Sequence, residues 1–204
     1  MTGGAGGDDE RVVGIYRRHA AAFDRQRTRV LVERTWLARF LALRPTTPRV
    51  LDIGCGMGEP VARHLVECGC AVTGVDSSPA MIALCRERFP AQDWIVADMR
   101  ALALGRTFDG LLAWDSFFFL TPENQRRMFA AFRAHAGPGA ALMFTSGPSG
   151  GVAIGTFEGE PLYHASLDPD EYRALLAAHG FAVAAHAAED ADCGGRTVWL
   201  AQRR

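Results

Sequence analysis

Apolar positions in the first forty residues recur with helical spacing. Val12, Tyr16, Ala20 and Phe23 form one series; Val32, Trp36, Leu37, Phe40 and Leu41 form a second, which Arg44-Pro45 stops. From Arg49 onward the period changes to short, near-continuous apolar runs at residues 50–53, 71–75, 94–97, 108–114 and 140–144. Such runs predict strands of a parallel sheet covered on both faces. The intervening segments open with helix start signals. Ser78-Pro79 and Thr121-Pro122 each offer an N-cap followed by proline at the first helical position, and Asp168-Pro169-Asp170-Glu171 adds an acidic residue in the manner of a capping box. Residues 181–187 and 197–201 read as two further strands that pair through the turn Asp192-Cys193-Gly194-Gly195. The pattern therefore predicts an α/β fold whose parallel sheet ends in an antiparallel hairpin. Residues 1–8 are glycine-rich and expected to be disordered, 9–44 are helical, and 45–204 form the α/β domain.

The first apolar run feeds Asp52-Ile53-Gly54-Cys55-Gly56-Met57-Gly58 and then a helix. Alternating glycines let the backbone turn sharply and approach a ligand without intervening side chains. The spacing is GxGxG, whereas the dinucleotide fingerprint requires GxGxxG. Asp52, just before the loop, suits a positively charged ligand and is unfavourable beside a pyrophosphate. About 20 residues on, Gly74-Val75-Asp76 ends the second strand, where a carboxylate can accept both hydroxyls of a ribose. Asp98 ends the third strand and can accept from an adenine amino group. Taken singly, Asp76 and Asp98 also read as surface acids or helix caps. Together with the glycine loop, they define one nucleoside-shaped crevice at the sheet edge.

In these segments the chain resembles the class I S-adenosylmethionine-dependent methyltransferases of the small-molecule type. The residues that carry the resemblance are Leu51 to Gly58, then Gly74-Val75-Asp76-Ser77-Ser78, then Met81, then Ala97-Asp98-Met99, and it extends over residues 49–204. It implies a doubly wound, seven-stranded, mostly parallel Rossmann-like sheet, with the last strand inserted antiparallel between the fifth and sixth. It also implies S-adenosylmethionine as cofactor, S-adenosylhomocysteine as product, and direct in-line transfer to an O, N, S or C nucleophile of a small acceptor. By the same resemblance, the backbone around Gly54, Cys55 and Gly56 holds the methionine part, Asp76 the ribose, and Asp98 with Met99 the adenine. Asp52, Ser77, Met81, Trp114 and Asp115 complete the cofactor set. The N-terminal helices become a lid that brings Tyr16 to the sulfonium. Phe119 stands where related sequences often carry a histidine.

Segments after the fourth, fifth and sixth strands share the edge at which the methyl group would lie. The stretch from Ser146 to Leu167 lacks clear periodicity and reads as a long functional loop. Within it His164 is the candidate general base, against the alternative of a loop histidine that bonds locally. Phe118, Tyr163, Cys193 and Arg196 are the further acceptor-side candidates. Arg196 can hold a substrate carboxylate bidentately or pair with Asp190 or Asp192. Of the aromatic residues in the N-terminal helices, Phe23, Trp36 and Phe40 read as packing positions.

Composition narrows the alternatives. All 22 basic residues are arginine and the formal charge is -1, so a catalytic lysine is excluded and no basic footprint for nucleic acid is present. Five cysteines without a CxxC pair give neither a disulfide framework nor a metal site; Cys68, Cys70 and Cys85 read as apolar filling. No run is long enough to span a membrane, and residues 1–9 lack the features of a secretory signal, so a cytoplasmic monomer or homodimer is expected. The rival reading is a protein that binds S-adenosylmethionine without turnover, as a partner subunit.

Overall fold

The computed structural model describes residues 7–43 and 48–204. Its strands are β1 (Arg49–Ile53), β2 (Ala71–Asp76), β3 (Asp93–Val96), β4 (Phe108–Ala113), β5 (Ala136–Ser146), β6 (Gly151–Phe157), β7 (Glu160–Ser166), β8 (Phe181–Asp190) and β9 (Arg196–Arg203). Its helices are α1 (Asp8–Arg18), α2 (Ala20–Gln26), α3 (Arg34–Ala42), α4 (Val61–Glu67), α5 (Pro79–Arg88), α6 (Pro122–His135) and α7 (Pro169–Ala178). Seven strands form one sheet in the order β3-β2-β1-β4-β5-β9-β8. The first five are parallel, and β9 runs antiparallel between β5 and β8, as predicted.

Near-continuous apolar strands are required because both faces of this sheet are covered. Successive side chains point to opposite faces. Leu51, Leu111, Leu142, Phe144 and Trp199 therefore pack in the cluster that holds Phe129, Phe132, Tyr172 and Leu176 of α6 and α7. Their neighbours Val50, Leu112, Met143, Val198 and Leu200 pack with Trp36, Leu37, Phe40, Leu65 and Ile82 of α3, α4 and α5. The three predicted caps form. Ser78, Thr121 and Asp168 accept from the backbone N–H of Met81, Asn124 and Asp170. Glu171 does not complete a capping box, because its carboxylate pairs with Arg126.

Several expectations are corrected. Residues 1–6 of the expected disordered segment lie outside the described residues, as does Arg44-Pro45, while Asp8 already opens α1. The N-terminal stretch forms three helices, and Val32 sits in the turn before α3. The bend between α1 and α2 at His19 leaves the hydrogen-bond ladder intact, His19 N–H donating to Ile15 and Phe23 N–H to His19. The stretch expected as a long loop is the hairpin β6–β7, turned at Glu158 and Gly159, which both have positive φ. It shows no alternation because Val152 and Ile154 of β6 both face solvent, whereas Leu162, Tyr163, Ala165 and Ser166 of β7 are buried. Cys70 and Cys85 are buried filling, but Cys68 is exposed, its thiol against His64.

Two strand glycines are required by space. A Cβ on Gly110 would lie 2.5 Å from the ring of Phe40, and one on Gly74 would lie 2.2 Å from the ring of Trp94 and 2.9 Å from the thiol of Cys55. Gly74→Ala is expected to lower unfolding free energy by about 1–3 kcal/mol through overpacking. Urea denaturation should register this as a lower midpoint with an unchanged slope.

Candidate active site

The glycine loop is shaped by contacts from two neighbouring strands. Gly54 (φ +77°) leaves β1 beneath Ser116, whose Oγ donates to the Ile53 carbonyl at 2.7 Å; a Cβ on Gly54 would stand 2.4 Å from that of Ser116. Gly54 and Cys55 N–H both donate to the Val75 carbonyl of β2. Gly56 N–H then donates to Asp76 Oδ2 at 3.0 Å, and Ser78 N–H to Asp76 Oδ1 at 2.8 Å. Burial raises the Asp76 pKa, and these two amides oppose that shift. Asp52 has no such help. It is 3% exposed, and among the described residues its carboxylate accepts no hydrogen bond. Burial, reinforced by the charge of Asp76, pushes its pKa up to about 7.

Beyond the loop, the crevice divides into two connected chambers. The narrower, 110 Å³, is lined by Val75, Asp76, Ser77, Met81, Asp98 and Met99. The wider, 510 Å³, runs past Asp52, Trp114 and Phe118 to His164 and Arg196. Tyr16, Phe23, Gly54, Gly56, Asp115 and Phe119 border both. Tyr16 lies at the junction, its ring packed on Phe23, Phe119 and Phe157 at centroid distances of 5.3–5.6 Å. Burial, then Asp115, raises the pKa of its phenol, which stays protonated.

The structure gathers most of the predicted site residues in these chambers. Asp98 caps a short 3-10 turn, and Arg100 holds its carboxylate in a fork. The Ser77 carbonyl accepts from Arg17 of α1 at 3.0 Å. Cys55 borders the wider chamber, but its thiol turns toward Gly74 and Cys85. Asp115 adopts φ +46° at the end of β4, its N–H on Thr145 Oγ1. His164 lies on β7 against Phe119 and Phe118, at centroid distances of 5.0 and 5.4 Å, and burial lowers its pKa.

Three acceptor-side expectations change. Arg196 pairs with neither Asp190 nor Asp192 but grips Asp115 through Nε and Nη2 at 2.8–3.0 Å, while Asp190 accepts from the Trp36 indole. Tyr163 is excluded from both chambers. It neighbours His164 on a strand, so it points the other way and packs on Val12 and Ile15 of α1. Cys193 is 1% exposed, buried with Trp36 and Val198.

Sequence reasoning missed residues whose roles depend on long-range contacts. Phe23, read as packing, borders both chambers. Arg27 reaches Asp115 from the end of α2 at 3.3 Å. Glu33 is a buried carboxyl 3.6 Å from Arg27. Arg18 and His19 both bind Glu160 of the hairpin, and Phe157 stacks on Tyr16, so α1–α2 and β6–β7 clasp each other across the crevice. No local pattern marks any of these pairs. Among the described residues, no group of three or more His, Cys, Asp or Glu could hold a metal ion, and no helix is long and apolar enough to cross a membrane.

Comparison with known proteins agrees with this geometry. Residues 50–139 match the family model of a methyltransferase domain. A carboxy-S-adenosyl-L-methionine synthase from Stutzerimonas stutzeri (strain A1501) is 32% identical over 109 residues, 48% of this chain and 44% of that protein. A malonyl-[acyl-carrier protein] O-methyltransferase from Pseudescherichia vulneris is 32% identical over 117 residues, 57% of this chain and 45% of that protein. The chain thus spans less than half the length of these curated relatives. Among solved structures, an amino pentose methyltransferase from Micromonospora echinaspora, with S-adenosylmethionine bound, superposes with a TM-score of 0.70 at 24% identity, covering 92% of this chain and 96% of that one. The magnesium protoporphyrin IX methyltransferase of Synechocystis PCC 6803 gives 0.74 at 17% identity, with full coverage of both chains. The fold is the Rossmann-like methyltransferase fold.

Asp52 makes stability depend on pH in a definite direction. Its folded pKa, about 7, lies above its ordinary value of 3.8, so the folded chain keeps a proton that the unfolded chain has lost. Its contribution is therefore fully favourable below about pH 4 and declines as pH rises to about 7. Asp52→Asn should match the parent near pH 3.5 and exceed it at pH 8 by at most about 4 kcal/mol, as read by urea unfolding at both pH values.

Proposed function

We propose that this chain, whose residues 50–139 match the family model of a methyltransferase domain, is an S-adenosylmethionine-dependent methyltransferase acting on a small-molecule acceptor in the cytoplasm. The observation that carries this reading is Asp52, a buried carboxylate facing the wider chamber with no hydrogen-bond donor among the described residues. A cationic ligand supplies the missing partner, and the donor is cationic at both its sulfonium and its amino group. When bound, it supplies a methyl carbon on positively charged sulfur, open to attack in line with the breaking carbon–sulfur bond.

The chain's own residues fit that ligand. The backbone of Gly54, Cys55 and Gly56 would hold the methionine part, with Asp52, Trp114 and Asp115 beside it. Asp76 keeps lone pairs for two ribose hydroxyls after accepting from Gly56 and Ser78. Asp98 and Met99, with Ser77 and Met81, would hold the adenine; Asp98 stays ionised, because the Arg100 fork keeps its pKa below the ordinary value. Tyr16 and Phe23 exclude water at the junction, and the Tyr16 ring offers a π-face to a sulfonium. Such positioning is worth roughly 7–11 kcal/mol of barrier.

His164 is the base in this reading. Burial favours its neutral imidazole, the carbonyls of Leu162 and Ala153 beside the ring opposing that shift, and in this reading a ring nitrogen takes the proton of an acceptor hydroxyl or amine as the methyl group transfers. Phe118 and Arg196 line the same chamber on the acceptor side. Tyr163 and Cys193 have no part in this proposal.

Calorimetric titration with S-adenosylmethionine and S-adenosylhomocysteine tests the cofactor assignment. Micromolar binding of both is expected, with loss in Asp76→Ala; no binding to well-folded protein overturns the reading. Binding without turnover on any acceptor would favour the non-catalytic alternative. For an acceptor that must lose a proton, His164→Ala should lower kcat about 100-fold or more. It should also abolish the acidic limb of the pH profile, which in the parent falls below the ordinary histidine pKa. Unchanged turnover at every pH would remove His164 from the chemistry.

A further inference from the structure

The β6–β7 hairpin is a sheet with one open side. β6 has β7 along one edge and, among the described residues, no strand along the other. A free edge presents a row of unpaired N–H and C=O groups to any other strand, and proteins ordinarily blunt it. The remaining sheet edges among the described residues are blunted. β3 is four residues long, and its Trp94 carbonyl accepts from Arg86. β8 breaks register at two bulges, between Val183 and Ala185 and between Ala187 and Asp190. β7 carries Pro161, packs Tyr163 on α1 and gives its Ala165 carbonyl to Gln125.

β6 has none of these devices. Its sequence, Gly151-Val152-Ala153-Ile154-Gly155-Thr156-Phe157, holds no charge and no proline, and all of it stands in unbroken register with β7. Val152 and Ile154 are 60% and 62% exposed, and Thr156, on the same face, is exposed as well. A groove lined by Ile154, Ile15, Pro161 and Tyr163 continues this apolar surface toward α1. Its rim mixes Asp8 and Glu10 with Arg11 and Arg18, so two copies approach without a field of one sign.

The strand that completes this edge must be uncharged, and small where β6 is large. β6 itself meets that description. Two β6 strands paired antiparallel about a two-fold axis at Ile154 set Ile154 against Ile154, Val152 against Thr156, Ala153 against Gly155 and Phe157 against Gly151. The exposed β-branched side chains then become direct cross-strand neighbours on one face. Such a ladder supplies about six to eight hydrogen bonds, within the roughly 5–15 that a typical interface carries.

We propose that β6 is the contact of a two-fold homodimer, in which two hairpins join edge to edge into one four-stranded antiparallel sheet. A second copy of this chain is the partner, because the exposed row is complementary to itself in size and carries no charge that would select a different sequence.

Sedimentation velocity of the full chain from about 1 to about 100 µM reads the assembly, under reducing conditions that keep the exposed Cys68 from cross-linking. A reversible dimer is expected. Ile154→Lys sets two ammonium groups opposite each other at the axis and should weaken the dimer at least about 10-fold. Its urea midpoint should match that of the parent at a concentration where both are monomeric, because the Ile154 side chain is exposed. Val152→Lys and Thr156→Glu should each weaken the dimer, and the double variant should be tighter than either, because position 152 of one copy faces position 156 of the other. A parent that stays monomeric at about 100 µM overturns the proposal. So does a dimer that Ile154→Lys leaves unchanged, or a double variant no tighter than the single ones. If Ile154→Lys fails to fold, the Val152 and Thr156 series decides by the same criteria.

Discussion

The edge of the sheet is organised around one carboxylate held by two backbone amides. Asp76 accepts from Gly56 on one side and Ser78 on the other, so a single side chain joins the loop after β1 to the cap of α5. The Val75 carbonyl makes the same connection one residue earlier, through Gly54 and Cys55. A loop of alternating glycines has many accessible conformations, and its ordering costs entropy. These bonds select one conformation before any ligand arrives. The floor of the crevice is therefore preformed, and binding need not meet that ordering cost.

Arginine is the other organising element. Because the chain has no lysine, every cationic partner at the site is a planar fork. Arg100 straddles Asp98, Arg196 straddles Asp115, and Arg18 straddles Glu160. Each fork fixes the plane of the carboxylate that it meets as well as neutralising it. The first two orient strand-end acids, and the third ties an N-terminal helix to a distant hairpin. Asp52, an acid at the same edge, has neither a fork nor, among the described residues, the backbone amides that hold Asp76.

Much of the fold was legible from apolar runs, because strands covered on both faces leave few polar positions. The caps at Ser78, Thr121 and Asp168 were also legible, since their bonds reach only two or three residues. The glycine loop and the acids at 52, 76 and 98 were recognisable for the same reason: each sits at a strand end that the pattern marks. The β6–β7 hairpin was not, because Val152 and Ile154 are exposed while their partners across the hairpin are half or more buried, which erases the alternation. Without the strand, nothing distinguished Tyr163 from His164, although their side chains go to opposite sides. Arg196 and Asp115 are 81 residues apart, and long side chains choose among acids by geometry that only the folded chain supplies. Cys193 looked available because turns are usually exposed, yet this turn folds back under Trp36.

The two chambers draw on different stretches of the chain. Floor and walls of the narrower one come from residues 54–120, with α1 and α2 above, whereas the wider one adds residues 146–148, Leu162, His164, Glu189 and residues 194–197. Under the proposed reading, recognition of the donor's nucleoside part and of the acceptor are thus encoded separately, and the two chambers meet at Tyr16, Phe23, Gly54, Gly56, Asp115 and Phe119. Such modularity lets the acceptor side drift through changes in a hairpin and one late turn while the donor side keeps its geometry. A chain built this way can change its substrate without rebuilding its chemistry.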